Sequence, residues 1–150
     1  MSTTELRLSN LICKLRDEGH RLTPQRMAVI KTLIGNQEHL TAEQVHERVK
    51  VDFPMTSLAT VYKTVSMLKE MHEVQEISVD GEGKHFDGAT GHPHPHLICT
   101  NCRRIEDIDL GDIHPLPAEI ARQTGYRIEG HRLDFFGVCP ACQEKEIQNS

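Results

Sequence analysis

The chain has 150 residues and a formal net charge of −5, from 17 basic and 22 acidic side chains. That length suits one domain or two small ones, and with 37% apolar residues, no Trp, 4 Phe and 2 Tyr any core is aliphatic and modest. No stretch approaches the roughly 20 apolar residues of a membrane span, and Met1–Asn10 lacks a signal peptide's apolar segment, so no membrane partner and a cytoplasmic location are expected.

In chain order, Leu8, Leu11, Ile12 and Leu15 recur at helical spacing and predict a first amphipathic helix ending before Gly19. Thr23 offers an N-cap and Pro24 suits a first helical position, so a second helix runs to about Ile34 with Met27, Ile30, Leu33 and Ile34 as its stripe. Thr41-Ala42-Glu43-Gln44 matches a capping box and opens a third helix with Val45 and Val49 inward. Pro54 interrupts, and Ser57 caps a fourth helix to about Glu70 that buries Val61, Val65 and Leu68. Its other face carries Ala59, Thr60, Tyr62, Lys63 and Ser66, which are short or cationic groups suited to a crowded groove. Val74–Val79 and Lys84–Asp87 read as two strands around the turn Asp80-Gly81-Glu82-Gly83.

Helices followed by a two-stranded wing form the winged helix-turn-helix pattern, although any four-helix fragment can resemble it. In that pattern the fourth helix enters the major groove of a double-stranded DNA operator. Tyr62 can then contact a thymine methyl or phosphate, and Lys63 a phosphate or guanine. Ser57, Ala59 and Thr60 line the same face, and Arg21 can reach backbone or minor groove. Charge agrees in part: residues 1–35 hold six basic against three acidic side chains, and Pro54–Lys69 holds Lys63 and Lys69 with no acid. Ordinary solvated helix surface would look the same.

The back half differs in composition. Cys99-Thr100-Asn101-Cys102 and Cys139-Pro140-Ala141-Cys142 are separated by 36 residues. Each CxxC turn aims two sulfurs at one point, and two such turns complete a tetrahedral thiolate cage for structural zinc. Redox-active dithiols or disulfides are the alternatives, disfavoured by a reducing compartment and by the absence of a thioredoxin-like context. Cys13, on the first helix, is expected to be a buried small hydrophobe. His92-Pro93-His94-Pro95-His96 places three imidazoles at alternate positions, each Pro holding the residue before it extended. Such a run suits a His/carboxylate site for iron(II), manganese(II) or zinc, or else a solvated loop. Leu97–Cys99 and Arg104–Asp109 read as strands, Pro117–Thr124 as a helix and Tyr126–Val138 as further strand.

Four segments together carry a resemblance: Arg21-Leu22-Thr23-Pro24-Gln25-Arg26, Ser57-Leu58-Ala59-Thr60-Val61-Tyr62, His94 to Cys102, and Gly137 to Cys142. Over about Leu11–Lys145 the chain resembles the ferric uptake regulator (Fur) family. The resemblance implies a homodimeric, metal-dependent DNA-binding repressor of α+β class. It also implies a winged helix-turn-helix domain over 1–87 and a small α/β dimerisation and metal-binding domain over 88–150. Carried over by motif, the regulatory ligands for Fe(2+) or Mn(2+) are His39, Asp87, His94, His96 and Asp107. Aspartate at 87 and 107 resembles the peroxide-responsive (PerR-like) branch. There, iron-catalysed oxidation of ligand histidines, matching His39 and His94, releases DNA. Asp87 and Cys99 lie twelve positions apart, as in the branch that controls iron uptake, so regulation of metal uptake genes by iron, manganese or zinc is the alternative. A second site of the family maps onto Pro93, Pro95, His114 and His131, two of which cannot ligate; His114 and His131, with His92, form a possible remnant. His20, His46, His72 and His85 are expected to be solvated or hydrogen-bonded.

Two other functions compete with that reading. A zinc deaminase needs an HxE segment before a PCxxC turn and an open zinc position; no HxE occurs, so a zinc enzyme is not expected. A metal-buffering protein would lack DNA affinity.

Overall fold

The first four helices begin where a hydroxyl can accept an N–H group that the first turn leaves unpaired. Ser2, Thr23, Thr41 and Ser57 do so, accepting from the backbone of Glu5, Arg26, Gln44 and Thr60. They start α1 (Thr3–Asp17), α2 (Pro24–Leu33), α3 (Ala42–Asp52) and α4 (Leu58–Glu70). Capping boxes close at Ser2/Glu5 and at Thr41/Gln44. The structure, a computed structural model, describes residues 2–90, 94–108 and 115–149; the end of the expected strand Arg104–Asp109 lies outside them. The chain divides into two compact units, Met1–His92 and Pro93–Ser150.

In the first unit α2, α3 and α4 pack on one another. Leu15, Val29, Ile30, Val45, Val61 and Leu68 are wholly buried in an aliphatic core. Cys13 is exposed instead of buried. It lies two residues from both Leu11 and Leu15, which α1 buries, and two residues turn a helix by about 200°. β1 (Gln75–Val79) and β2 (Gly83–Asp87) form the antiparallel wing. Gly81 and Gly83, with φ of +81° and +77°, supply the left-handed backbone its turn needs. A single antiparallel bridge joins Leu40 to Phe86, with the Phe86 N–H donating to the Leu40 carbonyl at 2.8 Å.

Gly88 fastens the end of the wing to the helices. Its carbonyl accepts from the Gly35 N–H at 2.8 Å and from Arg7 Nη1 at 2.7 Å. Arg7 also donates to the Glu73 carbonyl at 2.7 Å and to Glu73 Oε2 at 3.0 Å. These bonds tie Gly88 to the first unit.

The second unit holds a three-stranded sheet in the order β4-β3-β5. β3 (His96–Cys99) pairs antiparallel with β4 (Ile105–Asp107) and parallel with β5 (Asp134–Gly137). The long strand expected over Tyr126–Val138 is therefore only four residues. Its partner β3 is bounded by Pro95, which has no N–H to donate, and by the turn after Cys99. Helix α5 (Pro115–Thr124) starts two residues earlier than expected, and α6 (Pro140–Gln148) was not expected. Among the described residues of this unit only Pro95, His96, Ile98, Cys99 and Cys142 are buried.

A methyl group at Gly88 would sit 2.3 Å from the Leu33 carbonyl oxygen. Gly88→Ala is expected to lower the unfolding free energy of the first unit by about 1–3 kcal/mol, read as a shift in the urea midpoint.

Candidate metal centres

Two donor pairs arise from strand register, one in each unit. In the first unit the Leu40–Phe86 bridge is antiparallel, so the preceding residue His39 lies opposite the following residue Asp87. His39 Nε2 is 3.4 Å from Asp87 Oδ2. Asp87 is 1% exposed, and its Oδ1 accepts the Ala89 N–H at 2.9 Å. One carboxylate oxygen is thus held by backbone while the other faces the imidazole.

In the second unit His94 and His96 stand two residues apart and so share a face; their ring centroids are 4.6 Å apart. The β3–β4 register sets Asp107 opposite His96. Asp107 Oδ1 is 3.2 Å from His94 Nε2 and 3.4 Å from His96 Nε2, three donor atoms in one small cluster. Adjacent ligands bound at about 2.1 Å to one octahedral ion stand about 3 Å apart, so both groups fit a metal's coordination sphere. His96 is 2% exposed, and its Nδ1 lies 3.7 Å from Asp134 Oδ1 on β5. Asp134 had no place in the sequence reading, because a parallel neighbour 38 positions away (134 − 96) leaves no local signal.

The four cysteine sulfurs all lie within 4.8 Å of one another. Cys99 Sγ to Cys142 Sγ is 3.9 Å and Cys102 Sγ to Cys139 Sγ is 3.8 Å. A tetrahedral ion with sulfur ligands at about 2.3 Å spaces them about 3.8 Å apart, so the donor set fits zinc. Two backbone devices aim the sulfurs. Arg103, in the left-handed region with φ 67°, folds the first CxxC turn back on β3. Cys139 is the N-cap of α6, with Pro140 in its first turn. That Pro, followed by Gln143–Ile147, was the available sign of the unexpected helix.

Backbone N–H groups of Cys139 and Cys102, each 3.4 Å from the Cys99 sulfur, pull its thiol down to about 6. The Cys142 N–H draws Cys139 down as well. Cys142 is pushed up to about 12, first by its hydrogen bond with Cys139 and then by burial. A bound cation would take the place of the thiol protons.

The remaining histidines do not form a third centre among the described residues. His131 is exposed, while His92 and His114 lie outside the described residues. His46 Nε2 is 2.7 Å from the Thr56 carbonyl, and His20 lies 3.7 Å from Glu18. His85 departs from expectation: its Nδ1 is buried without a hydrogen-bond partner among the described residues.

On α4, Ala59, Tyr62, Lys63 and Ser66 are exposed and Thr60 is half-buried, as the amphipathic pattern requires. Ser57 Oγ is engaged by the cap, lying 3.1 Å from the Thr60 N–H and 3.0 Å from the Thr60 hydroxyl. Arg21 is exposed, and its carbonyl accepts from Arg26 Nη1 at 2.8 Å.

The model of the ferric uptake regulator family matches residues 17–136. The peroxide-responsive repressor PerR of Staphylococcus saprophyticus is 33% identical over 145 residues, 97% of each chain. Among solved structures, the Campylobacter jejuni peroxide stress regulator superposes with a TM-score of 0.68 at 27% identity, covering 95% of this chain and all of that one. The Helicobacter pylori ferric uptake regulator Fur gives 0.75 at 22% identity, over 95% of each chain, a likeness of fold.

Cys99→Ser is expected to remove zinc and unfold the second unit, leaving a protease-resistant fragment near Met1–His92. Metal analysis and limited proteolysis read both effects. In the unmutated protein, zinc retention against a fixed chelator is expected to weaken as pH falls, since protons compete for every sulfur.

Proposed function

This chain belongs to the ferric uptake regulator family and is a metal-responsive transcriptional regulator, and we propose that it is a homodimeric repressor that releases its DNA operator in response to hydrogen peroxide. The observation that supports this most is the juxtaposition of donors inside each unit: His39 with Asp87, and His94 and His96 with Asp107. In this reading those five residues together hold one iron(II) or manganese(II) ion, while Cys99, Cys102, Cys139 and Cys142 hold zinc. Four sulfurs leave zinc no open position, so that site braces the fold. Imidazole and carboxylate donors make the other site harder and redox-capable with iron.

The five ligands come from both sides of the short stretch between Asp87 and His94. An ion shared by them restricts how the two units can be oriented. In a dimer that orientation sets the spacing of the two α4 helices, and DNA binds one spacing better than the rest. Arg21, Ser57, Ala59, Thr60, Tyr62 and Lys63 form the DNA-facing set. For the dimer, α5 buries no residue of its own and exposes Leu116 and Ile120, and Phe136 of β5 is 62% exposed. A second copy covering these groups gives the second unit the core that it lacks. No helix among the described residues is long and apolar enough to cross a membrane, and a cytoplasmic location accompanies this reading.

Bound iron(II) supplies the redox chemistry that turns hydrogen peroxide into an oxidant of adjacent imidazoles. His39 and His94 are the expected targets, each lying against a carboxylate of its own unit. An oxidised ring is a poorer donor, so the restriction on the units is lost. The 33% identity to a peroxide-responsive repressor and aspartate at both 87 and 107 support this signal. The twelve-position spacing from Asp87 to Cys99 favours a second reading, control of metal uptake.

Chelation that spares the zinc is expected to weaken operator binding by about ten- to a hundredfold, with Asp87→Ala insensitive to added metal; fluorescence anisotropy with an operator duplex checks this. Peroxide treatment of the iron form is expected to add one oxygen atom to peptides carrying His39 or His94, seen by mass spectrometry. Equal labelling of the manganese form, or oxidation confined to cysteines, would leave metal-uptake control as the better reading.

A further inference from the structure

Tyr62 is the one aromatic side chain on the exposed face of α4, and it is 44% exposed. Its hydroxyl donates to Glu43 Oε1 at 2.8 Å, across from the first turn of α3. A phenol has a single proton to donate and two lone pairs to accept with. With the proton committed to Glu43, what remains at the tip is acceptor only. The Glu43 carboxylate beside it is acceptor only as well.

That chemistry divides the two kinds of group a DNA duplex presents. Phosphate oxygens are acceptors and negatively charged, so neither Tyr62 nor Glu43 can bond to them, and the carboxylate repels them. In the major groove only adenine N6 and cytosine N4 present donors. The pairing also keeps both groups in the state it needs. Its hydrogen bond to Tyr62 holds the Glu43 carboxyl below its usual range and raises the Tyr62 phenol above its own, so near neutral pH the pair is carboxylate and phenol.

We propose that Glu43 is a specificity-determining residue, locking Tyr62 into an acceptor-only reader of a base amino group in the major groove and repelling the phosphate contacts that a free tyrosine would make. This rests on the DNA-binding reading above. Two effects of Glu43 are separable. Its charge opposes all DNA, whereas its hydrogen bond to Tyr62 sharpens the choice between sequences. A plain α3–α4 staple would do neither.

The test uses the full-length, metal-loaded protein. A duplex is selected by the unmutated protein from a random-sequence pool, and affinities are measured for it and for a scrambled duplex over a range of salt. Glu43→Gln keeps an acceptor for Tyr62 and loses the charge, so affinity should rise on both duplexes with their ratio within about twofold of the original. Glu43→Ala should lower that ratio by about tenfold. In the Tyr62→Phe background Glu43→Ala should lower it no further, since the two residues act as a unit. Melting temperatures of the variants show that folding is kept. An unchanged ratio in Glu43→Ala, or additive losses in the double variant, overturns the proposal alone. An unmutated protein that enriches no duplex overturns the repressor reading and this inference with it.

Discussion

The backbone hydrogen bond from Phe86 to Leu40 does more than close the wing. Because it belongs to an antiparallel bridge, the preceding residue on one chain must face the following residue on the other, and these are His39 and Asp87. A shift of one residue would turn either side chain to the opposite face. The same rule acts in the second unit, where the β3–β4 register sets Asp107 against His96, and the period of two brings in His94. Strand register is thus the constraint that places the His/Asp donors of each unit. Each unit builds its donor group with ordinary ladder bonds.

The two units are stabilised by different means. The first has an aliphatic core drawn from all four helices and the wing, and its helix starts are capped by side chains. The second buries only five of its described residues, two of them cysteines and one a histidine. So small a core cannot offset the chain entropy of ordering a sheet and two helices. The thiolate cage links the end of β3 to the start of α6, about 40 positions apart along the chain, and so replaces core with coordination. The apolar groups left on α5 and β5 point the same way, since a partner copy would bury them. Burial of His96 in this thin sheet then has a purpose. In the proposed reading it holds one ligand between β4 and β5.

Much of this was legible in the sequence, for reasons that differ by element. Hydroxyl caps at Thr23, Thr41 and Ser57 are local signals and placed three helix starts well. The CxxC pairs are nearly as local, because each turn is self-contained. Cys13 was misread because neighbouring Ile12 suggested burial, whereas the phase set by Leu11 and Leu15 turns position 13 outward. Tyr126–Val138 was overextended because a strand is only as long as its partner, and β3 is cut short by Pro95 and the zinc turn. His39 came from resemblance alone; a one-residue bridge leaves no periodicity to read. Asp134 and the Glu43–Tyr62 bond were missed for a related reason. Both depend on residues distant in sequence, 38 positions (134 − 96) and 19 positions (62 − 43) apart.

The acidic net charge takes on a physical role in this light. A strongly basic surface would hold any duplex through phosphates, and its affinity would be mostly salt-dependent and blind to sequence. Here α4 carries only Lys63 and Lys69 as cations, and its exposed aromatic is tied to a carboxylate. In the proposed reading, weaker attraction to phosphate would leave more of the binding free energy to geometry: whether two α4 helices stand at the right spacing, and whether the base edges match. A regulator needs that balance. If nonspecific attraction dominated, fixing or freeing the orientation of the two units would change little. In the reading proposed above nonspecific attraction does not dominate, so an ion held by His39, Asp87, His94, His96 and Asp107 would decide whether the protein is bound, and the acidic net charge would be part of the switch.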